Sequence, residues 1–231
     1  MKNILGIDGS KSGWVGVKQS SKQEGTLEIL FNNKLIDFLS PDIDLIIIDM
    51  PVGLDKNIQQ GGRLVDKEAR KRLLKRKSSI FNAPIRDVLK AKSYNEANTI
   101  SKNKGLGISK QSWNLIPKIN ELDQILQIKI RPQIYESHPE LCFQIMNDGA
   151  LKFSKKDKLG IKERKNILIK NGFDKKFLDN NLKKNKNFLS DDFLDACALS
   201  WTAKRIINEQ NINLPEDPEK DELGIIMQMK V

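Results

Sequence analysis

The chain has 231 residues, 39% of them hydrophobic and 30% charged, enough apolar material for one elaborated α/β domain over residues 1–231. No run approaches the roughly 18 uninterrupted apolar residues of a membrane span, and Met1-Lys2 leads straight into a strand-like run instead of a signal sequence, so a cytoplasmic location is expected. A single histidine and two widely separated cysteines exclude a histidine-rich centre and a thiol zinc site, leaving oxygen as the ligand for any metal.

The net charge of +10 is unevenly spread. Residues 61–208 hold 32 basic and 16 acidic side chains, whereas both flanks are net acidic. Such a block suits a polyanion such as nucleic acid, because neutralised phosphates release condensed counter-ions. Lysine-rich helix faces are also often only solvated. Cys142 and Cys197, each in apolar surroundings, are expected as buried free thiols.

In chain order, Ile4–Ile7, Trp14–Val17 and Leu27–Phe31 read as three strands joined by polar turns. A short helix is predicted around Lys34–Leu39, stopped before Pro41, and Leu45–Ile48 follows as a strand buried on both faces. Residues 55–130 read as a mainly helical insertion that carries the most basic segment, Arg70–Lys77. Gln133–Glu136 is a further strand, closed by Pro139. The Lys- and Asn-rich stretch 155–189 reads as exposed helical pieces, Ser190 opens a long helix to about Glu209, and Ile225–Met229 is a final strand. Three antiparallel strands, a crossover and a strand parallel to the first make the order of a ribonuclease-H-like mixed α/β sheet with flanking helices.

Three apolar strands run into acids: Asp8, Asp49 and Glu136. A carboxylate at a buried strand end is costly unless a cation, hydrogen bonds or a proton neutralises it. Two at the same end of adjacent parallel strands suggest a shared site, where open α/β sheets place ligands. For Glu136, pairing with Arg131 or a lysine is the ordinary alternative. In the long helix, Asp192 and Asp195 are three residues apart on one face, beside an apolar stripe of Leu194, Cys197, Ala198 and Trp201. First-turn acids are also favoured by the helix dipole, which accounts for Asp191. An all-oxygen donor set suits Mg²⁺ or Mn²⁺, and a pair of such ions activates water against a phosphodiester.

The segments GIDGSKSGWVGV, IDMPVGL, ARKRLLKRKSSIFNAPIR, SKQSWNLIPKINELD, YESHPELCF and DDFLDACALSWTAKR, in that order, resemble a family of predicted ribonuclease-H-like nucleases, domain of unknown function 429. The D-x-x-D-A run from Asp192 is also similar to the last helix of RuvC-type junction resolvases, although Asp49 stands where those enzymes have Glu. The resemblance implies metal ligands at Asp8, Asp49, Asp192 and Asp195, with Glu136 as an auxiliary. It also draws attention to Arg63, Arg70, Ser78, Ser79, Arg86, Gln111 and Lys118, which either contact substrate or pin the insertion to the sheet. His138 and the tryptophans Trp14, Trp113 and Trp201 are expected to be structural. The leading expectation is a metal-dependent phosphodiester hydrolase acting on nucleic acid. Its rivals are an ATP-binding phosphotransferase of the actin and sugar-kinase type, suggested by Ile7-Asp8-Gly9-Ser10, and a non-catalytic nucleic-acid-binding protein.

Overall fold

A computed structural model describes residues 2–20, 26–128, 132–183 and 185–231. Strands β1 (Asn3–Ser10), β2 (Gly13–Ser20) and β3 (Leu27–Asn32) form an antiparallel set, where the sequence places them. A 3-10 turn at Leu35–Phe38 leads to β4 (Leu45–Ile48), which pairs parallel to β1 with Ile7 opposite Ile48. Strand β5 (Gln133–Glu136) pairs parallel to β4, and the short β6 (Asn213–Leu214) and β7 (Met229–Lys230) complete a seven-stranded mixed sheet in the order β3-β2-β1-β4-β5-β7-β6.

Between β4 and β5, helices α1 (Leu64–Arg72), α2 (Tyr94–Asn103) and α3 (Lys110–Leu126) bear out the helical expectation only in part, since most of 73–93 is 3-10 turns and loop. Pro139 does more than close β5. It occupies the first turn of α4 (Pro139–Met146), where its missing N–H costs nothing. Helices α5 (Lys158–Lys170) and α6 (Lys175–Asn181) follow, but the exposure expected of this stretch does not hold throughout: Arg164, Ile167 and Leu168 are buried. Helix α7 (Ser190–Ile207) is the long C-terminal helix. The final strand is shorter than predicted; Ile226 makes a single bridge to Lys220 and only Met229–Lys230 joins the sheet.

Period-two alternation divides the core into two layers. Ile4, Val15, Leu45 and Ile47 pack with Leu194, Ala198 and Leu199 of α7, whereas Leu5, Ile7, Trp14, Ile46 and Ile48 pack with Ile116, Ile119 and Leu122 of α3. Helix α7 lies tightly on β1 because position 6 is glycine. A Cβ there would stand 2.1 Å from Ser200 N and 2.4 Å from the Ala196 carbonyl, distances no side chain tolerates. Both cysteines are buried and free. Among the described residues, no helix is long and apolar enough to cross a membrane.

Candidate functional site

The tight seat of α7 on β1 brings the acids together. Asp8 continues the phase of Ile4 and Gly6 on the α7 side of the sheet and is 7% exposed. Asp49 immediately follows β4, its N–H donating to the Ile7 carbonyl (3.2 Å), so it extends the same parallel ladder. Asp195, one turn into α7 and 1% exposed, faces them. Burial pushes the Asp8 carboxyl well above the usual range, and Asp195 and Asp49 push it further. Burial likewise lifts Asp49 to about 6 and Asp195 to about 6, opposed in each case by Lys155. Burial is the first cause in all three, with neighbouring acids adding to it: Asp195 and Asp49 on Asp8, Glu140 on Asp49, and Asp49 on Asp195.

Hydrogen bonding around them is thin. Asp8 Oδ1 accepts from the Gly9 N–H (2.8 Å), and Asp195 Oδ2 accepts from Lys155 Nζ (2.6 Å). The other Asp195 oxygen, Oδ1, is buried and meets no donor among the described residues. Asp192 stands at the border. Its Oδ2 accepts from the Leu189 N–H (2.9 Å), capping α7, while its charge still raises Asp8. Asp191, read as a helix-dipole residue, pairs with Lys156 (2.6 Å).

Lys155 is the member the sequence reading missed. Burial alone would lower its pKa, but Asp195 and Asp8 outweigh that and hold it above its ordinary value. Nothing in the sequence separates it from Lys152 or Lys156, because its place depends on tertiary contacts of the loop before α5. Among the described residues, no three His, Cys, Asp or Glu side chains form a ready-made metal-binding group. The acids instead act on an ammonium.

Glu136 does not join this centre. It is in phase with Ile134, which packs on the α3 side with Ile48. There it accepts from the Val52 N–H (2.8 Å) and from both terminal nitrogens of Arg63 (2.7 and 3.0 Å). Arg131 lies outside the described residues. Arg63, fully buried, also binds Asp66 (2.6 Å) and the carbonyls of Val52 and Gly53, so it has no donor left for a phosphate. Arg70 is likewise committed, to the Ile80 carbonyl (2.9 Å), the Gly61 carbonyl and Asn82. Arg86 pairs with Asp123 (3.0 Å) and Asp221. For these three arginines the pinning alternative describes what the side chains do.

A cavity of about 480 Å³ opens onto the acids. Asp8, Asp49 and Lys155 line one part of its wall; Lys11, Gln111, Asn114 and Lys118 line another. Lys118 also reaches the Gly13 carbonyl and lies 4.1 Å from the centre of the Trp14 ring, so it both shapes the cavity and braces the β1–β2 turn. Gln111 is exposed and borders a second cavity of about 310 Å³. Ser79 Oγ lies 3.3 Å from His138 Nε2, and burial drives the His138 imidazole down to about 4, leaving it neutral at pH 7. Trp14 is buried with its N–H on Glu121 (3.0 Å), and Trp113 and Trp201 are half-buried, the packing roles expected of them.

Residues 6–220 match the model of a family described as protein of unknown function, DUF429. No curated protein and no solved structure gives a match. The chain belongs to the DUF429 family.

Proposed function

We propose that this member of the family is a metal-dependent phosphodiester hydrolase acting on nucleic acid, built on a ribonuclease-H-like sheet. The observation that carries the reading is the convergence of Asp8, half-buried Asp49 and Asp195, each raised in pKa chiefly by burial and sparsely hydrogen-bonded among the described residues, beside a cavity that Asp8 and Asp49 line together with Lys11, Gln111 and Lys118. Structural carboxylates are satisfied by fixed donors; these are not. The strand order and the parallel pairing of β4 with β1 agree with the ribonuclease-H arrangement.

The donor set fits a hard divalent cation, because all of it is oxygen and Asp195 Oδ1 has no other partner among the described residues. Asp8, Asp49 and Asp195 would hold Mg²⁺ or Mn²⁺, with Asp192 at the edge. Such an ion supplies charge stabilisation and an activated water at neutral pH. The chain's own groups do the rest. Lys11, which lines the cavity, offers positive charge to a phosphate, and Gln111 offers an amide to a sugar or base edge. His138, neutral at pH 7, lines the same cavity.

The basic excess supports a polyanionic partner less strongly than its size suggests, since Arg63, Arg70, Arg86 and Arg164 are spent inside the protein. Hydrolysis of DNA and RNA substrates with Mg²⁺ or Mn²⁺ tests the proposal. Wild type should cleave, and Asp8→Asn should lose about 100-fold or more, the scale of removing a charge-stabilising group. Equal rates in the two proteins, or no cleavage of any substrate, would sink it, and specific ATP binding by calorimetry would favour the phosphotransferase.

A further inference from the structure

Lys155 is delivered to the acids by a loop that is itself firmly held. Glu163 of α5 accepts two successive backbone N–H groups, from Lys152 (2.9 Å) and Phe153 (3.0 Å). Arg164, fully buried, donates to the Phe153 carbonyl (3.3 Å), as does Arg76 from the far side of the loop, and both arginines are anchored on Glu140. Gly160 lets the loop lie against α5, since a Cβ there would come within 1.8 Å of the Ser154 carbonyl oxygen. Lys155 and Lys156 then grip α7 one turn apart, on Asp195 and Asp191. The backbone is fixed, whereas the Lys155 side chain crosses a cavity wall and keeps 35% of its surface exposed. Asp195 does not line that cavity; its Oδ2 meets the lysine that does.

We propose that Lys155 is an exchangeable internal counter-ion: its ammonium holds the acidic centre together when no divalent cation is bound, and cation uptake displaces it into the cavity. The inference rests on the metal-site reading above. A divalent ion held by Asp8, Asp49 and the free Oδ1 of Asp195 would sit beside the ammonium on Oδ2 of the same carboxylate, and the two positive charges repel one another. The carboxylates need positive charge in either state, since buried anions without it are strongly disfavoured. A lysine suits exchange better than an arginine. Its single charged centre sits on a flexible four-carbon stem and gives up one short contact, not a bidentate pair. Released, the ammonium stays within the cavity, where a phosphate would be drawn to it.

Two measurements on the full chain test this. Calorimetric titration with Mn²⁺ should show Lys155→Met binding about tenfold or more tightly than wild type, the competing charge having been removed, while Asp195→Asn binds more weakly than wild type. On wild type alone, acylation of lysine amines followed by peptide mass spectrometry should find Lys155 protected in chelator and reactive in saturating Mg²⁺, with the exposed Lys71 labelled equally in both. Equal Mn²⁺ affinity in wild type and Lys155→Met overturns the exchange and leaves the metal site standing. Saturable Mg²⁺ binding with Lys155 still protected overturns it as well, and does not require the variant to fold. Absence of cation binding in every protein overturns the metal reading and this inference together.

Discussion

Two clusters of buried acid lie on opposite faces of the same sheet, and they are chemically unlike. On the α3 side, Glu136 and Asp66 share the guanidinium of Arg63, and Glu136 also takes the Val52 N–H. Burial pushes Glu136 up, and Arg63 pulls against it at close range with several hydrogen bonds. On the α7 side, the Lys155 ammonium is set against Asp8, Asp49 and Asp195 together, and among the described residues Asp195 Oδ1 meets no donor. A strand ending in an acid is common to both, so position in the sequence does not distinguish a brace from a site. The number of donors aimed at the carboxylates does.

The largest effect separating the two comes from Arg63→Met. It strands two buried carboxylates at once, and urea unfolding at pH 7 should show a loss of about 3–5 kcal/mol, the usual consequence of removing one partner from a buried ion network. A loss below 1 kcal/mol would mean that the Arg63 cluster is no better satisfied than its counterpart, and the contrast would disappear. Next comes Gly6→Ala. The added methyl cannot coexist with Ser200 N and the Ala196 carbonyl, so α7 must move off β1 at a cost of about 1–3 kcal/mol. Because Asp195 rides on α7, the same substitution should weaken Mn²⁺ binding measured by calorimetry, whereas the Arg63 cluster, which α7 does not carry, keeps its geometry. Unchanged Mn²⁺ affinity would show that the acids do not depend on that seat.

Much of this was legible in the sequence, for identifiable reasons. Strands β1 to β5 announce themselves through β-branched runs bounded by turns, and Asp8, Asp49 and Asp195 through their place at the ends of apolar stretches or inside an apolar helix face. Strands β6 and β7 are two residues each, too short for any periodicity. Lys155 was invisible because its role depends on Glu163, Arg164, Arg76 and Gly160 holding one loop, a set of contacts that leaves no pattern in a lysine-rich stretch. Glu136 looks like a member of the centre in the sequence because its strand, like those before Asp8 and Asp49, runs into an acid. The pleat turns its side chain to the other face, and the nearest guanidinium, 73 residues earlier in the chain, could not be assigned to it from spacing.

The smallest effect is the most discriminating, because its sign is opposite on the two faces. Asp49 is held at about 6 in the folded chain against an ordinary 3.8, with burial as the main cause. A carboxyl raised on folding favours the native state fully only below the unfolded value, and that advantage is lost as pH rises through the folded one. Above pH 6 the metal-free native protein therefore carries a charge it would shed. Asp49→Asn should then stabilise the protein in chelator at pH 7.5 by about 1–2 kcal/mol, allowing for its partial exposure. The gain should shrink as pH falls through 6 toward 4, read from paired urea titrations at pH 7.5 and 4.5. Glu136→Gln should destabilise at pH 7.5 instead, since it weakens a pair that Arg63 already completes. If Asp49→Asn destabilised as well, Asp49 would be a brace of the same kind as Glu136, and the α7-side cluster would lose the unsatisfied charge on which a cation site depends.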